Sequence, residues 1–582
     1  MFISKDNIDS LTWQAFERVV CRLLLHEGFE GLRIVGQTSD GGADVLAHRA
    51  SKRWLFQVKH WKARVGPEVI DRTLEAMRAY RAQVPVAVAL NGFQDAVREQ
   101  QRALMSTGIP VQLWDRTILV DRAQRLTDTY PVPSAAYEAR DYQEDAIRSL
   151  LRVYSEGHIR KALVVLATGL GKTFVAAEAL RRIHAASPIR SLLVLAHSNE
   201  LIYQLERSFW PFLKASQSTV IWNGYERPAP TDLAKASCVF ACLDSVYEHV
   251  NRNGELPPFE VVLVDECHHA GAMMYQTVLR ELRAGQVGGP FLIGLTATPW
   301  RPDDADLQEY FGEPLVCVDL VAGLRKGFLT NVDYRMFTDN INWEALGELK
   351  GRRFSPRAIN RTLFINQWDD AVVYALQAAW KEQKKPRAIV FCGTIDHALT
   401  MRDKINGLGF CSAAAIYSQA VAGKAMAPYE RNRILSDFHD GTVDVVCAVD
   451  IFNEGVDVPD VNIIVFQRVT HSRRIFIQQL GRGLRLAPGK EKVIVLDFVS
   501  DIRRFAAGLD LKDKLEAADE GARSGSVRVH LPNKVAFRRV GEDDPETESF
   551  LRQWLEDVAA VEAAGEDVSV LKFPPSLSGV RE

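Results

Sequence analysis

No apolar run in these 582 residues approaches the roughly 20 that span a bilayer. The opening Met1-Phe2-Ile3-Ser4-Lys5-Asp6 carries no signal-peptide apolar stretch, so a cytoplasmic chain that does not enter a membrane is expected. Cysteine is sparse: there are eight, scattered, and the nearest pair, Cys238 and Cys242, lies in an apolar stretch that reads as a buried strand and its exit. No second Cys/His pair accompanies them, which argues for packed thiols and against zinc. An excess of one charge is missing too. The formal net charge is -3, so any surface for nucleic acid must be a local patch or groove.

What is present is an ordinary globular composition, 47% hydrophobic and 25% charged, in a chain long enough for three or four domains at roughly 150 residues each. Residues 1–128 begin with apolar positions at helical spacing, Trp13, Phe16, Val20, Leu23 and Leu24, and then alternate strand-like and helical segments. Residues 129–136 have the turn and breaker composition of a linker. Over 137–330, short apolar runs such as 163–166, 192–195, 261–264 and 291–295 alternate with helical stretches, and a similar series fills 366–503 after a connector at 331–365. This is the pattern of α/β lobes built on parallel sheets covered on both faces. Residues 504–582 read as a small, mostly helical, acidic accessory segment.

Between the run ending at Leu166 and the helical stretch beginning near Lys172 lies Ala167-Thr168-Gly169-Leu170-Gly171-Lys172-Thr173. A strand, a glycine loop and a helix N-terminus point several backbone N–H groups at a phosphate chain. Lys172 is expected to neutralise the β and γ phosphates of ATP and Thr173 to ligate Mg²⁺. Leu166 stands where the strict loop pattern has its first glycine, and Gly169 supplies flexibility inside the loop. Asp265 and Glu266 follow the apolar run Val261-Val262-Leu263-Val264, which puts both carboxylates at a strand's C-terminal end, where α/β proteins bind ligands. Asp265 would hold the metal and Glu266 would orient and deprotonate water. Arg482 and Arg485, three apart, share a helical face from which both reach the γ-phosphate.

A second chemistry stands ahead of this one. Gln57 and Lys59 are two apart on a strand, so their side chains share a face, and Asp44 on the neighbouring strand is expected to meet them. Asp44 and the side-chain carbonyl of Gln57 would ligate Mg²⁺, Lys59 would hold the attacking water or steady the phosphorus centre, and Glu17 would complete the metal shell.

The set Arg140-Asp141-Tyr142-Gln143, the loop at 167–173, Asp265-Glu266-Cys267-His268, Thr296-Ala297-Thr298 and Gln478 to Arg485 resembles the ordered motifs of superfamily 2 helicases, and most nearly the motor subunits of type I and type III restriction enzymes. The resemblance implies two RecA-like lobes with ATP between them. It implies that Arg140, Gln143, Thr168, Gly169, Gly171 and Gln478 serve the nucleotide, with Gln143 reading adenine, and that His268, Thr296 and Thr298 link hydrolysis to the nucleic-acid groove. Ala196-His197-Ser198 and Asp244-Ser245 are similar to the backbone-contacting motifs. Residues 10–122, through Phe16-Glu17, Gly41-Gly42-Ala43-Asp44 and Phe56-Gln57-Val58-Lys59, resemble the Mrr-type restriction endonucleases and so imply a PD-(D/E)xK nuclease fold. The function this implies is an ATP-dependent DNA helicase or translocase fused to a Mg²⁺-dependent endonuclease, acting on double-stranded DNA in defence against foreign DNA, as a homo-oligomer or with partner subunits. A repair helicase-nuclease and a non-cutting remodelling protein are the alternatives.

Overall fold

The structure, a computed structural model, describes residues 1–5, 7–35, 43–131, 138–253, 255–267, 273–297, 307–318, 322–323, 326–338, 367–417, 426, 428–449, 461–467, 486 and 489–499. They fall into two compact units. The first takes residues 1–166, 171–317 and 427–433; the second takes 167–170, 318–426 and what is described beyond 434.

The first unit holds two sheets. Its N-terminal sheet has five strands in sequence order, β1 (Glu30–Ile34), β2 (Val45–Arg49), β3 (Lys52–Lys59), β4 (Val84–Ala89) and β5 (Gln112–Asp115). The first two pairings are antiparallel and the last two parallel. β2 and β3 form a two-residue hairpin in which Ala50 and Ser51 both take positive φ, 51° and 60°, the twist that matches strand to strand in so short a turn. Its register sets Val45 opposite Phe56 and thereby brings Asp44 beside Gln57. Helix α1 (Trp13–His26) starts at Thr12, whose hydroxyl accepts from the Ala15 amide, the usual way of satisfying a first-turn donor. α1 buries Phe16, Val20, Leu23 and Leu24, in one cluster with Phe29, Phe56 and Trp114. Helix α2 (Glu68–Ala79) carries Val69 and Ile70 into another cluster, with Ala87, Ala89 and Val97 of helix α3 (Asp95–Ser106); α4 (Arg116–Gln124) follows β5.

The second sheet of this unit has seven strands: β6 (Lys161–Leu166), β7 (Leu192–Ala196), β8 (Thr219–Trp222), β9 (Cys238–Cys242), β10 (Val261–Val264), β11 (Phe291–Thr296) and β12 (Pro314–Val318). The spatial order is β12-β6-β11-β10-β7-β9-β8, and every pairing from β6 to β8 is parallel. The connecting helices include α5 (Asp141–Glu156), α6 (Lys172–Ala186), α7 (Asn199–Phe209), α8 (Pro230–Lys235) and α9 (Leu243–Asn253). The five inner strands β6, β7, β9, β10 and β11 are buried almost along their whole length, as continuous apolar runs in a parallel sheet must be.

The two sheets of this unit share a core. Trp210 and Ala215, which follow α7, are buried in the same cluster as Phe2, Ile3 and Phe16. The backbone closes the seam where Phe2 N donates to Ala215 O at 2.9 Å and Ser216 N to Asp128 Oδ1 at 2.9 Å. Arg18 of α1 forms a fork with Glu226 at 2.6 and 2.9 Å, and its Nε lies 2.8 Å from Glu206 at an angle that makes an ion pair rather than a hydrogen bond.

The second unit is a six-stranded sheet, parallel throughout, from β13 (Asn331–Thr338), β14 (Ala388–Phe391), β15 (Ala413–Tyr417), β16 (Val445–Val449), β17 (Ile463–Phe466) and β18 (Lys492–Val499), in the order β13-β18-β17-β14-β16-β15. Residues 331–338, read from sequence as the start of a connector, are its edge strand. They are anchored by Asp333, Arg335, Glu382 and Lys492 in mutual ion pairs, and a polar strand held by ion pairs shows no apolar run in sequence. Residues 504–582 lie outside the described residues.

Candidate functional site: an ATP pocket and a nuclease face

β6, β11 and β10 are neighbours in the seven-stranded sheet, and their carboxyl ends carry the phosphate loop, Thr296 and the pair Asp265-Glu266. Gly169 and Gly171 take φ of 91° and 84°, a region that side chains rarely enter. Gly171 is also crowded: a Cβ there would fall 2.6 Å from Nε2 of Gln143. Gln143 is itself held by its Oε1, which accepts from Arg140 N at 2.9 Å. Beyond the loop, Lys172 Nζ lies 3.1 Å from Glu266 Oε1, with Thr173 next to it on the first turn of α6.

Asp265 is buried, and its Oδ1 has no hydrogen-bond partner. Burial and then the adjacent Glu266 carboxylate raise its pKa, against the pull of Lys172. Glu266 adopts φ 49°, a left-handed conformation that costs a non-glycine residue of order 1 kcal/mol or more and gathers at functional sites. Thr168 Oγ1 is likewise buried without a partner. A buried carboxylate oxygen open to a cation and a buried hydroxyl able to donate to a phosphate oxygen, both beside a glycine loop, fit a ligand that brings both groups. His268, Gln478, Arg482 and Arg485 lie outside the described residues, as does Thr298.

On the N-terminal sheet, Asp44 Oδ2 accepts from Val58 N at 2.5 Å and stands 3.8 Å from Lys59 Nζ. Gln57 is fully buried, with Oε1 2.6 Å from the hydroxyl of Thr73 on α2. That hydroxyl is also 2.7 Å from the Val69 carbonyl oxygen. A threonine hydroxyl has one hydrogen, and the Val69 carbonyl can only accept. With the hydrogen on Val69, the Gln57 amide turns over, so that Nε2 donates to Thr73 and Oε1 takes the buried position that otherwise holds an unpartnered Nε2. A free amide oxygen near Asp44 suits a hard cation. Among the described residues no three His, Cys, Asp or Glu side chains converge to hold a metal, so a cation here would rest on no more than two such side chains, with the Gln57 amide, backbone carbonyls and water. Glu17 is on α1, where its carboxylate helps burial push the Cys21 thiol up to about 12. Phe16 reaches His60, with ring centroids 5.6 Å apart, so this part of α1 lies beside the end of β3. Trp54 packs edge-on against Phe29 at 5.2 Å and is part of the core, whereas Trp61 is exposed.

Comparison with known proteins agrees with this division. Residues 8–123 match the restriction endonuclease family Mrr_cat, residues 136–301 the type III restriction enzyme res subunit, and residues 369–487 the helicase conserved C-terminal domain. The chain joins a domain that matches the Mrr-type restriction endonucleases to domains that match helicases. Among curated relatives, the putative mitochondrial ATP-dependent helicase irc3 of Schizosaccharomyces pombe is 25% identical over 64% of this chain and 59% of its own length. The type I restriction enzyme EcoAI endonuclease subunit of Escherichia coli is 26% identical over 73% of this chain and 55% of its own. The DNA 3'-5' translocase XPB2 of Sulfurisphaera tokodaii is 24% identical over 63% and 83%. The chain thus spans little more than half the length of the first two. No helix among the described residues is long and apolar enough to cross a membrane.

Sequence reasoning missed Thr73 and the seam. Thr73 shows as a polar residue on an otherwise apolar helix face, between Val69 and Ala76, and that signal was available. Nothing local marks Arg18 and Glu226, which are 208 positions apart.

Proposed function

We propose that this endonuclease-helicase uses ATP to move along double-stranded DNA and cuts it with a Mg²⁺-dependent endonuclease, in cytoplasmic defence against foreign DNA. The observation that carries the reading is the Asp44–Lys59 pair, 3.8 Å apart, in the same compact unit as Lys172, Asp265 and Glu266. In the motor, Arg140 and Gln143 receive the adenine, while Thr168, Gly169, Gly171 and Lys172 cradle the phosphates. Thr173 and Asp265 hold Mg²⁺, and Glu266 takes the proton of the attacking water. His268 and Gln478 sense the nucleotide, and Arg482 and Arg485 neutralise the charge that develops on the γ-phosphate. Bound Mg²⁺ supplies charge stabilisation and an activated water at the nuclease face. There Asp44, Gln57 and Glu17 position the cation, and Lys59 steadies the reacting phosphate. The functional divisions are 1–128 nuclease, 129–136 linker, 137–330 and 366–503 motor lobes, with 331–365 between them and 504–582 as an accessory segment. A nuclease with one site per chain cuts both strands when two chains pair. The EcoAI relative is named a subunit, which supports assembly with partners.

The test is cleavage of modified and unmodified plasmid with Mg²⁺, with and without ATP, by wild type, Lys59→Ala and Lys172→Ala. Expected are loss of cutting but not of DNA-stimulated ATPase in Lys59→Ala, and loss of ATPase with altered cutting in Lys172→Ala. Cutting that survives Lys59→Ala sinks the nuclease assignment, and ATPase that survives Lys172→Ala sinks the motor.

A further inference from the structure

Four large aromatic residues stand exposed among the described residues, Trp13, Trp61, Tyr225 and Tyr374; Trp13 and Tyr225 adjoin the seam between the nuclease sheet and the first motor lobe through Thr12 and Glu226, and Trp61 follows the nuclease strand β3. Tyr225 is the most exposed, at 72%, yet the turn that carries it is among the most tightly held. Asn223, fully buried, accepts from the amides of Tyr225 and Glu226 at 2.9 and 2.8 Å. Glu226 is clamped by Arg18 and by the Tyr203 hydroxyl at 3.0 Å. A rigid turn therefore holds a large apolar ring in water when burying it would be favourable by about 2 kcal/mol.

Contacts lead from the turn that carries this ring to the nuclease face. Glu226 reaches Thr12, with Oε2 3.5 Å from Oγ1, and the next residue, Trp13, opens α1 and is 43% exposed. One turn on, Phe16 touches His60. Trp61 follows, also 43% exposed, with its backbone carbonyl tied to the Asn91 amide at 2.7 Å. Lys59, paired with Asp44, is two residues before it. Cations accompany two of the rings: Lys62 and Arg64 are exposed beyond Trp61, and Arg227, two residues after Tyr225, has its side chain 66% exposed in a loose pair with Glu248 at 3.8 Å.

We propose that Tyr225, Trp13 and Trp61 form a stacking track for a short single-stranded stretch of DNA, running from the first motor lobe to the nuclease face. It rests on the motor-nuclease reading above. Exposed rings with cations close to two of them suit unpaired bases on a phosphate backbone; a duplex hides its base faces and gains little from exposed rings. Because the turn and α1 are locked together through Arg18, the track has a fixed length, and a strand on it reaches Lys59 in one register.

The test is anisotropy of a fluorescein-labelled oligonucleotide of about 20 thymidines, and of a blunt duplex, on the full chain in EDTA without ATP. Tyr225→Ala and Trp13→Ala are expected to weaken single-strand binding by about 5- to 100-fold each, with Tyr225→Phe near wild type and duplex binding unchanged. 5-Iodouracil in the oligonucleotide is expected to crosslink to Tyr225. The proposal is overturned if both alanine variants bind the single strand as wild type does, or if duplex binding falls equally. A wild-type chain that binds neither DNA fails earlier, because it removes the nucleic-acid reading and the track together.

Discussion

The seam and the ATP pocket both bury carboxylates, and they treat them in opposite ways. At the seam, Glu226 receives two bonds from Arg18 and one from Tyr203, and Glu206 faces Arg18 while accepting from Thr219 at 2.6 Å. The neighbouring carboxylates hold the Arg18 guanidinium charged against the cost of its own burial. In the pocket, Asp265 is as deeply buried but keeps an oxygen without a partner, and its neighbour Glu266 sits on a strained backbone. Buried charge satisfied from within is architecture. Buried charge left open is a place prepared for a ligand. The nuclease face lies between these cases, with Asp44 already paired to Lys59 and Val58 and an open end on the Gln57 amide.

The contrast breaks first in the pocket. Glu266→Gln is expected to lower ATP turnover by about 10²–10⁴-fold, the usual loss on removing a general base. Thermal stability should not fall, since one of two crowded carboxylates is neutralised; a melting temperature that drops with turnover would mean Glu266 is structural. At the seam the same kind of deletion acts on stability. Arg18→Ala strands two buried carboxylates and should cost about 3–5 kcal/mol, read in denaturant unfolding of the first unit, and an unchanged midpoint would deny that the seam binds the two sheets.

A smaller effect comes from pH. His26 packs on Phe2 with ring centroids 5.3 Å apart, and burial, then Arg22, pushes its pKa down to about 3. The unfolded imidazole titrates near 6.5, so between those values the unfolded chain binds the proton that the folded chain refuses. The stability is complete above pH 6.5 and is lost as pH falls toward 3, by about 2 kcal/mol on reaching pH 5. His26→Phe should flatten that part of the pH profile, and an unaltered slope in melting experiments would assign the loss elsewhere. The smallest effect sharpens the nuclease case. Thr73→Val removes the hydroxyl that orients Gln57 and should cost about 1 kcal/mol together with weaker Mn²⁺ binding by paramagnetic titration, both restored in Thr73→Ser. If Mn²⁺ binds Thr73→Val as tightly as wild type, the orienting role is gone.

The core strands of the parallel sheets are legible as apolar runs because a strand covered on both faces must be apolar throughout: 261–264 coincides with β10, and 192–195 lies within β7. The five-stranded sheet is legible in part: β3 and β4 follow from alternating or continuous apolar residues, while the hairpin at Ala50-Ser51 carries none of the glycine or asparagine that usually announces such a turn. β13 escaped for the same kind of reason, being held by ion pairs that only pairing with its neighbours reveals. Loop glycines, the strand-end carboxylates and Lys59 stood out because their chemistry is local: a glycine at positive φ or a carboxylate after an apolar strand is written in consecutive residues.

By itself, then, the sequence determined the phosphate loop, Asp265 and Glu266 at a strand end, and Gln57 and Lys59 on one strand face, since each depends on backbone periodicity over a few residues. Tertiary structure alone decided that Thr73 holds Gln57, that Gln143 crowds Gly171, and that Arg18 of the nuclease closes on Glu206 and Glu226 of the motor. Those contacts join residues 16, 28, 188 and 208 positions apart, and no local pattern carries such separations; they exist only once both sheets have folded against a common core.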